Sequence, residues 1–340
     1  MRLALDAMGG DEAPHAMVAG ALDYARDHRD HTVVLVGRED AIEPLLPSTA
    51  PDNITIHHAS EVITMGDKIS ALKDKPDDSI NTASRLVKNG DADAMVLCGN
   101  TACSVAAAQL HLRRIPGVKR AGILTPLPNP KGMTWVIDCG ANAVGKPEHL
   151  AQFAEMADVF LRRYSEIKEP RIGVLSIGSE EGKGDDLTQE TVDLLRQGSL
   201  NCLGNVEGND IYTGEVDIVV CDGFTGNVVL KTSEGVAKVM STILKEALTR
   251  NALRKVGYQL AKGAFRELRE RTHWSLVGGC LLLGVDGATI IGHGRSGPVA
   301  VYNALKQAAR CVETEMIRHL RAHYSPAVTT RGDNNVAAAS

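Results

Sequence analysis

The stretch 217–235, Asp-Ile-Val-Val-Cys-Asp-Gly-Phe-Thr-Gly-Asn-Val-Val-Leu-Lys-Thr-Ser-Glu-Gly, constrains the fold more than any other part of the chain. Its first half is a short apolar run rich in β-branched residues, as in a strand buried on both faces. Residues 222–227 read as a tight polar turn whose two glycines open backbone conformations closed to other residues. Beyond Asn227 the apolar positions Val228, Val229, Val236, Val239 and Met240 take helical spacing. Strand, glycine turn and helix make half of a βαβ unit. Such a turn aims free backbone N–H groups and the positive end of a helix at whatever lies above the sheet, most easily an anion. Many α/β turns carry glycine for geometry alone, so one corner does not define a site.

The same corner recurs. A strand over 2–7 is followed by Met8-Gly9-Gly10-Asp11 and by a helix opened at Pro14, where a missing N–H costs little. Asp6 ends that strand and either faces a ligand or accepts hydrogen bonds from its own turn. A buried strand over Ala94–Leu97 leads into Cys98-Gly99-Asn100-Thr101 and a helix through Leu112. Strands over 122–125 and 134–138 flank a proline-rich connection, and the second ends in Asp138-Cys139-Gly140-Ala141-Asn142. A helix starts at Pro147. A strand over 171–177 opens into 178–184, where Lys183 between two glycines can approach a ligand unhindered; a solvent-exposed lysine is the alternative. Residues 205–210, with Glu207, form a polar turn. A strand over 278–285 turns at Asp286-Gly287, and 289–291 pairs back or continues the sheet. Gly292-His293-Gly294-Arg295-Ser296-Gly297 then opens a last helix to about His323. Further strands fall at 32–36 and 54–57, and an amphipathic helix at Ser79–Asn89 ends at Gly90. The charged, aperiodic segment 61–78 reads as a mobile loop, of the kind that closes over ligands.

At 340 residues the chain holds one large or two ordinary domains. A net charge of −5 argues against bulk attraction to nucleic acid. No apolar run approaches the length of about 18 residues that spans a membrane. The N-terminus enters a strand directly, without a signal-peptide layout, so the cytoplasm is the expected location. Seven cysteines without a Cys-x-x-Cys pair read as buried small hydrophobes. His57-His58 and His319/His323 lack a spaced Cys or carboxylate to complete a metal site, and no metal or cofactor is expected. Helices over about 227–250 and 251–271 form a hairpin with eight Lys/Arg against three Glu between Lys245 and Arg271. Its basic amphipathic face suits an anionic membrane surface, an acidic protein or a subunit interface.

Strand ends carrying Gly with Asn, Asp, Lys or His line the crevice of an open α/β sheet. No Gly-x-Ser-x-Gly elbow, Walker A motif or Gly-x-Gly-x-x-Gly fingerprint accompanies them. The groups suit a site that binds phosphate and lets phosphate do the attacking, with backbone N–H groups, Lys183 and Asn227 holding it. A donor aimed at the developing oxyanion completes an acyl transfer.

Six motifs carry a family resemblance. They are 6–11 (Asp-Ala-Met-Gly-Gly-Asp), Gly99-Asn100-Thr101, Asp138-x-Gly140-Ala141-Asn142, Asn205-Val206-Glu207-Gly208, 222–227 and the Gly-Gly…Leu-Leu-Gly-Val…His-Gly-x-Ser run. Together, in this order over about 2–324, they resemble the PlsX family, the phosphate acyltransferases of bacterial phospholipid synthesis. The resemblance implies transfer of a long acyl chain from acyl carrier protein to inorganic phosphate. It implies a Rossmann-like three-layer α/β/α fold similar to isocitrate/isopropylmalate dehydrogenases and phosphotransacetylases, with no metal and no nucleotide. It also implies a homodimer attached peripherally to the inner face of the membrane, beside a membrane glycerol-3-phosphate acyltransferase. Two lobes are expected, 1–130 with 276–325 and 131–275, with a protruding helical hairpin at about 236–271 and a disordered tail at 326–340. Lys183, Asn227 and His293 are the expected catalytic residues. Asp6, Gly9, Gly10, Asn100, Thr101, Asn142, Glu207, Asp222, Gly226, Lys231 and Ser296 are expected to bind substrate, and Leu253, Val256 and Leu260 to touch the membrane. A phosphotransacetylase using acyl-CoA and a non-catalytic membrane-docking scaffold are the rival readings.

Overall fold

The computed structural model describes residues 1–165, 167–272 and 278–325, so the tail expected to be disordered lies outside the described residues. The chain runs β1 (Arg2–Asp6), α1 (His15–Asp27), β2 (Thr32–Gly37), α2 (Glu39–Ile42), β3 (Ile54–His58), α3 (Ala71–Asp74), α4 (Ser79–Asn89), β4 (Ala94–Leu97) and α5 (Thr101–His111). It continues through β5 (Gly122–Asn129), β6 (Gly132–Ile137), α6 (Pro147–Tyr164), β7 (Ile172–Leu175), α7 (Asp186–Gln197), β8 (Cys202–Val206), β9 (Ile218–Val220) and α8 (Gly223–Thr249). The last elements are α9 (Ala252–Leu260), α10 (Lys262–Thr272), β10 (Cys280–Leu283), β11 (Ala288–Ile291), α11 (Pro298–Glu313) and α12 (Met316–Tyr324).

The described strands form one sheet in the order β3-β2-β1-β4-β11-β10-β5-β6-β9-β7-β8. From β3 to β11 neighbours are parallel. The steps β11–β10, β10–β5 and β5–β6 are antiparallel, and β6, β9, β7 and β8 are parallel again. Three reversals leave β6–β9 pointing opposite to β1. The carboxyl ends of β1, β4 and β11 therefore open at one rim of the sheet, and those of β6, β9, β7 and β8 at the other.

Alternation of side chains along the strands loads both faces with apolar groups. Leu3, Leu5, Val33 and Leu35 face one core with Tyr24, Phe153, Phe160 and Leu305 from α1, α6 and α11. Ala4, Val34, Val36, Met95 and Leu97 face the other with Ile80, Ala83 and Ala108 from α4 and α5. This is the α/β/α layering expected from the sequence. Asp78 caps α4 by accepting from Ile80 N and Asn81 N at 2.7 and 3.0 Å, and Gly90 ends it at φ +80°.

Several local expectations are corrected. The proline-rich connection is part of strand β5, because β10 pairs β5 only through Leu124 and leaves no ladder for Pro126 or Pro128 to break on that side. Asn205 and Val206 end an edge strand rather than sit in a turn. The segment 61–78 is tied down rather than loose: Asn100 Nδ2 donates to the Asp67 carbonyl at 2.8 Å and Lys75 Nζ to the Val62 carbonyl at 2.9 Å. The helices expected over 251–271 and up to His323 are each broken in two, the second at Glu315, whose φ is +49°. Residues 222–227 are a helix start, not a turn: Asp222 caps α8, and neither glycine has positive φ. Their small size serves close approach instead, since an added Cβ at Gly226 would overlap the Asp138 carbonyl oxygen.

Beyond the corner, α8 leaves the body, and Gly223 and Gly226 are its buried residues. Asn251 caps α9, which returns along it with Arg254 Nη1 donating to the Ala247 carbonyl at 3.0 Å. Among the described residues no helix is long and apolar enough to cross a membrane.

Gly226→Ala is expected to lower unfolding free energy by about 1–3 kcal/mol, because backbone must move to admit the methyl. Gly208→Ala, where an added Cβ meets nothing within 4 Å, is expected to stay within about 0.5 kcal/mol of the parent. Denaturant unfolding of the two variants measures the difference.

Candidate active site

At the first rim, the corners after β1, β4 and β11 are locked together. Gly10 has φ +102°, and a Cβ there would lie 2.9 Å from the Cys98 carbonyl and 3.0 Å from that of Gly294. Asp11 N donates to the Gly294 carbonyl at 2.7 Å. Asp6 is fully buried beneath Gly9, whose added Cβ would overlap its Oδ2. Its Oδ1 accepts from Met8 N at 3.0 Å, while Oδ2 has no hydrogen-bond partner among the described residues. Burial pushes the Asp6 carboxyl up to about 6, against the pull of the Ser79 hydroxyl and the Met8 N–H. Asn100 caps α5 through Cys103 N at 3.1 Å, so both ends of its amide are engaged within the protein. Thr101 is the exposed first residue of α5. Ser296 is buried, and its N donates to the His293 carbonyl at 2.9 Å.

At the opposite rim the organiser is Asp138, fully buried at the end of β6. Its Oδ1 accepts from Ile123 N, Gly140 N and Ala141 N at 3.0, 3.1 and 2.9 Å. Its Oδ2 accepts from Asn142 N and Nδ2 at 2.7 and 2.8 Å. Burial raises the Asp138 carboxyl, and those N–H groups oppose it. Asn142 also donates to the Ala121 carbonyl at 2.7 Å. Asp222 accepts from Thr225 N at 2.7 Å as the α8 cap. Glu207 follows the edge strand β8, with its N donating to Asp210 Oδ2 at 2.8 Å. Lys183, in the loop after β7, is held through its backbone: its carbonyl accepts from Asn205 Nδ2 at 3.0 Å. The Lys183 ammonium and the Asn227 amide are both exposed and make no side-chain hydrogen bond among the described residues. The same corners expose Val144, Ile177 and Phe224, at 85%, 86% and 67%.

Helix α8 connects the rims. Asn227, Lys231 and Glu234 fall at i, i+4 and i+7, on one face. Asn227 lies against Gly140 of the Asp138 corner, where an added Cβ would meet it at 3.7 Å. Lys231 Nζ lies 2.9 Å from His293 Nε2 at the β11 corner and 3.1 Å from Glu234 Oε2. Arg295 N donates to His293 Nδ1 at 3.1 Å. Burial favours protonation of Glu234, but hydrogen bonds from His293 and Lys231 outweigh it and hold the carboxyl below its ordinary range. These groups border a cavity of about 480 Å³ that also touches Asp11, Met65, Lys238 and Arg295. Among the described residues no group of His, Cys, Asp and Glu is arranged to hold a metal ion.

The expected residues thus fall into two sets, Asp6, Gly9, Gly10, Asn100, Thr101, His293 and Ser296 at one rim and Asn142, Lys183, Glu207, Asp222, Gly226 and Asn227 at the other. Lys231 joins them. Sequence reasoning left Asp138 and Glu234 out of the site. The Asp-x-Gly-Ala-Asn pattern signals a carboxylate closing its own turn, and the i+7 spacing from Asn227 marks Glu234.

Comparison with known proteins bears on this geometry. A family described as "Fatty acid synthesis protein" matches residues 1–319. A phosphate acyltransferase of Desulfitobacterium hafniense (strain DSM 10664 / DCB-2) is 44% identical over 324 residues, covering 94% of this chain and 97% of the relative. One from Myxococcus xanthus (strain DK1622) is 45% identical over 319 residues, covering 92% and 90%. Among solved structures, a phosphotransacetylase from Streptococcus pyogenes superposes with TM-score 0.59 at 18% identity, over 94% of both chains. That likeness is one of fold.

Asp6 offers a test by pH. Its carboxyl holds a proton up to about 6 when folded, against an ordinary 3.8. Ionising it therefore opposes folding, by an amount that grows from about pH 4 to about pH 6 and is complete above that. Two units correspond to about 3 kcal/mol. Asp6→Asn removes this titration. Unfolding free energies at pH about 4 and about 7 should show the variant gaining roughly that much stability relative to the parent as pH rises.

Proposed function

Because the chain belongs to the fatty acid synthesis protein family, whose phosphate acyltransferases match it over nine-tenths of its length, we propose that it transfers a long acyl chain from acyl carrier protein to inorganic phosphate. Acyl transfer to phosphate is the activity of the family; the carrier-protein donor and the chain length are the finer part of the reading. The product is an acyl phosphate for phospholipid synthesis.

The observation that carries the chemistry is the face of α8, which sets Asn227 one helical turn from Lys231 and His293. Residues four apart on a helix lie about 6 Å from each other. A thioester carbonyl beside Asn227 is then within reach of an anion held near Lys231. A phosphate oxygen attacks the carbonyl carbon, and the carbonyl oxygen becomes an oxyanion that the exposed Lys183 ammonium and Asn227 amide can receive. Collapse breaks the C–S bond, and the phosphate proton passes to the departing thiolate. Asp138, Asn142, Asp222 and Gly226 position Asn227, and Asp6, Gly9, Gly10, Asn100, Thr101 and Ser296 shape the facing corner. Exposed Val144, Ile177 and Phe224 at the same rim favour a long apolar chain over acetyl.

The outer half of α8 exposes Val236, Val239, Met240 and Ile243, at 57%, 56%, 62% and 57%. That stripe suits a second copy of the chain in a homodimer. The hairpin tip exposes Leu253, Val256 and Leu260 beside Arg254 and Lys255, which suits an anionic membrane surface. Docking there would hand a reactive acyl phosphate to a membrane glycerol-3-phosphate acyltransferase.

Free thiol released from palmitoyl carrier protein, with and without phosphate, tests the activity; acetyl-CoA in its place tests the phosphotransacetylase alternative. Lys183→Ala is expected to reduce acyl-phosphate formation at least about tenfold with the fold intact, as loss of a charge-assisted contact implies. Unchanged turnover would remove Lys183 from the mechanism. Replacing Leu253 and Leu260 by Glu is expected to abolish sedimentation with anionic vesicles, and a variant that still pellets would place membrane contact elsewhere.

A further inference from the structure

The Lys231–His293 fork already holds an anion that belongs to the protein. Glu234 Oε2 lies 3.1 Å from Lys231 Nζ and 3.6 Å from His293 Nε2. The backbone N–H of Arg295 occupies His293 Nδ1 as acceptor. One carboxylate oxygen thus stands beside an ammonium and the edge of an imidazole ring, where an oxygen of a bound oxyanion would stand. The hydrogen bonds that hold Glu234 below its ordinary range keep it a carboxylate in this position.

The surroundings fit a more highly charged guest. Lys231, Lys238 and Arg295 line the cavity against the acids Asp11 and Glu234, and its volume of about 480 Å³ leaves ample room for a tetrahedral anion. The side chains of Lys231 and Glu234 are 51% and 25% exposed. An i,i+3 pair on so open a helix face is a weak contact. A phosphate dianion brings more charge and more acceptor oxygens to the same Lys231 ammonium.

We propose that the Lys231–His293 fork is the seat of inorganic phosphate, and that Glu234 is a built-in competitor that leaves the fork when phosphate enters. This rests on the reading of phosphate as acyl acceptor. The fork lies one turn of α8 from Asn227, so phosphate seated there faces the thioester position. Glu234 sets the phosphate concentration that the enzyme requires, and it shields the fork from carboxylates and other weaker anions.

The test separates binding from turnover. Phosphate affinity is measured by calorimetry on the full chain without acyl donor, and KM values for phosphate and for palmitoyl carrier protein by thiol release. Glu234→Gln keeps the shape and removes the charge. It is expected to lower both the phosphate Kd and the phosphate KM about three- to tenfold, with the KM for the acyl donor unchanged. Lys231→Ala is expected to raise both phosphate constants at least about tenfold, and Lys231→Arg to restore most of the loss. Circular dichroism confirms that each variant is folded. Weaker or equal phosphate binding by Glu234→Gln overturns the competitor role, and phosphate constants indifferent to Lys231→Ala overturn the fork. Either result alongside normal phosphate-dependent turnover in the parent leaves the proposed function standing. A parent that releases thiol without needing phosphate refutes that function itself.

Discussion

The buried carboxylate of Asp138 fixes the geometry on which the proposed chemistry depends. It gathers N–H groups from Ile123, Gly140, Ala141 and Asn142, and so closes the β6 corner around itself. Removing it would leave that cluster of donors without a partner in a dry interior, a far larger penalty than the net worth of any one of those bonds. Its backbone carbonyl is also the surface against which α8 begins, because Gly226 has no side chain to hold the helix away. Asp138 N donates to the Cys221 carbonyl at 3.0 Å, and Gly223 N to the Asn142 carbonyl at 2.8 Å. The start and direction of α8 are set by these contacts.

That direction matters because of the sheet. In an ordinary open α/β sheet the ligand crevice lies at one set of carboxyl ends. Here the antiparallel steps through β10 and β5 turn the second half of the sheet over, so the corners open at opposite rims. Glycine-softened corners alone would give two half-sites. Helix α8 starts at one rim and passes the other, which lets Asn227 and Lys231 on one helical face serve groups from both. The same helix continues outward as the apolar hairpin, so the element that assembles the site also carries the surface proposed for assembly and membrane contact.

Much of this was legible in the sequence. Strands β1, β4 and β9 and helix α4 follow from short apolar runs and 3.6-residue periodicity with Asp and Gly at the ends. The α/β layering follows from their alternation with helices. The glycine corners were visible too, but the reason for them was misread at Gly226, where close packing rather than positive φ excludes a side chain. Pro126 and Pro128 concealed the length of β5, because their tolerance depends on β10 ending early, a fact of tertiary pairing. The reversal of the second half was not visible, since the direction of a strand in a sheet leaves no mark on its own residues. For the same reason the contact of Glu234 with Lys231 beside His293 emerges only once α8 is placed against the β11 corner. Asn100, Asn142 and Asp222 stood out by residue type, yet the structure engages each in capping or turn hydrogen bonds within its own corner. Lys183 and Asn227 differ: among the described residues their polar heads make no side-chain hydrogen bond.

The central claim is that residues from the two rims act in one site along α8. A double-mutant cycle on Asn227→Ala and His293→Ala, read as kcat/KM for acyl-phosphate formation, tests it most directly. Groups in one site should show a coupling energy above about 0.5 kcal/mol, with the double variant less impaired than the product of the single effects. Strictly additive losses would mean that the two rims work independently, and would contradict the account.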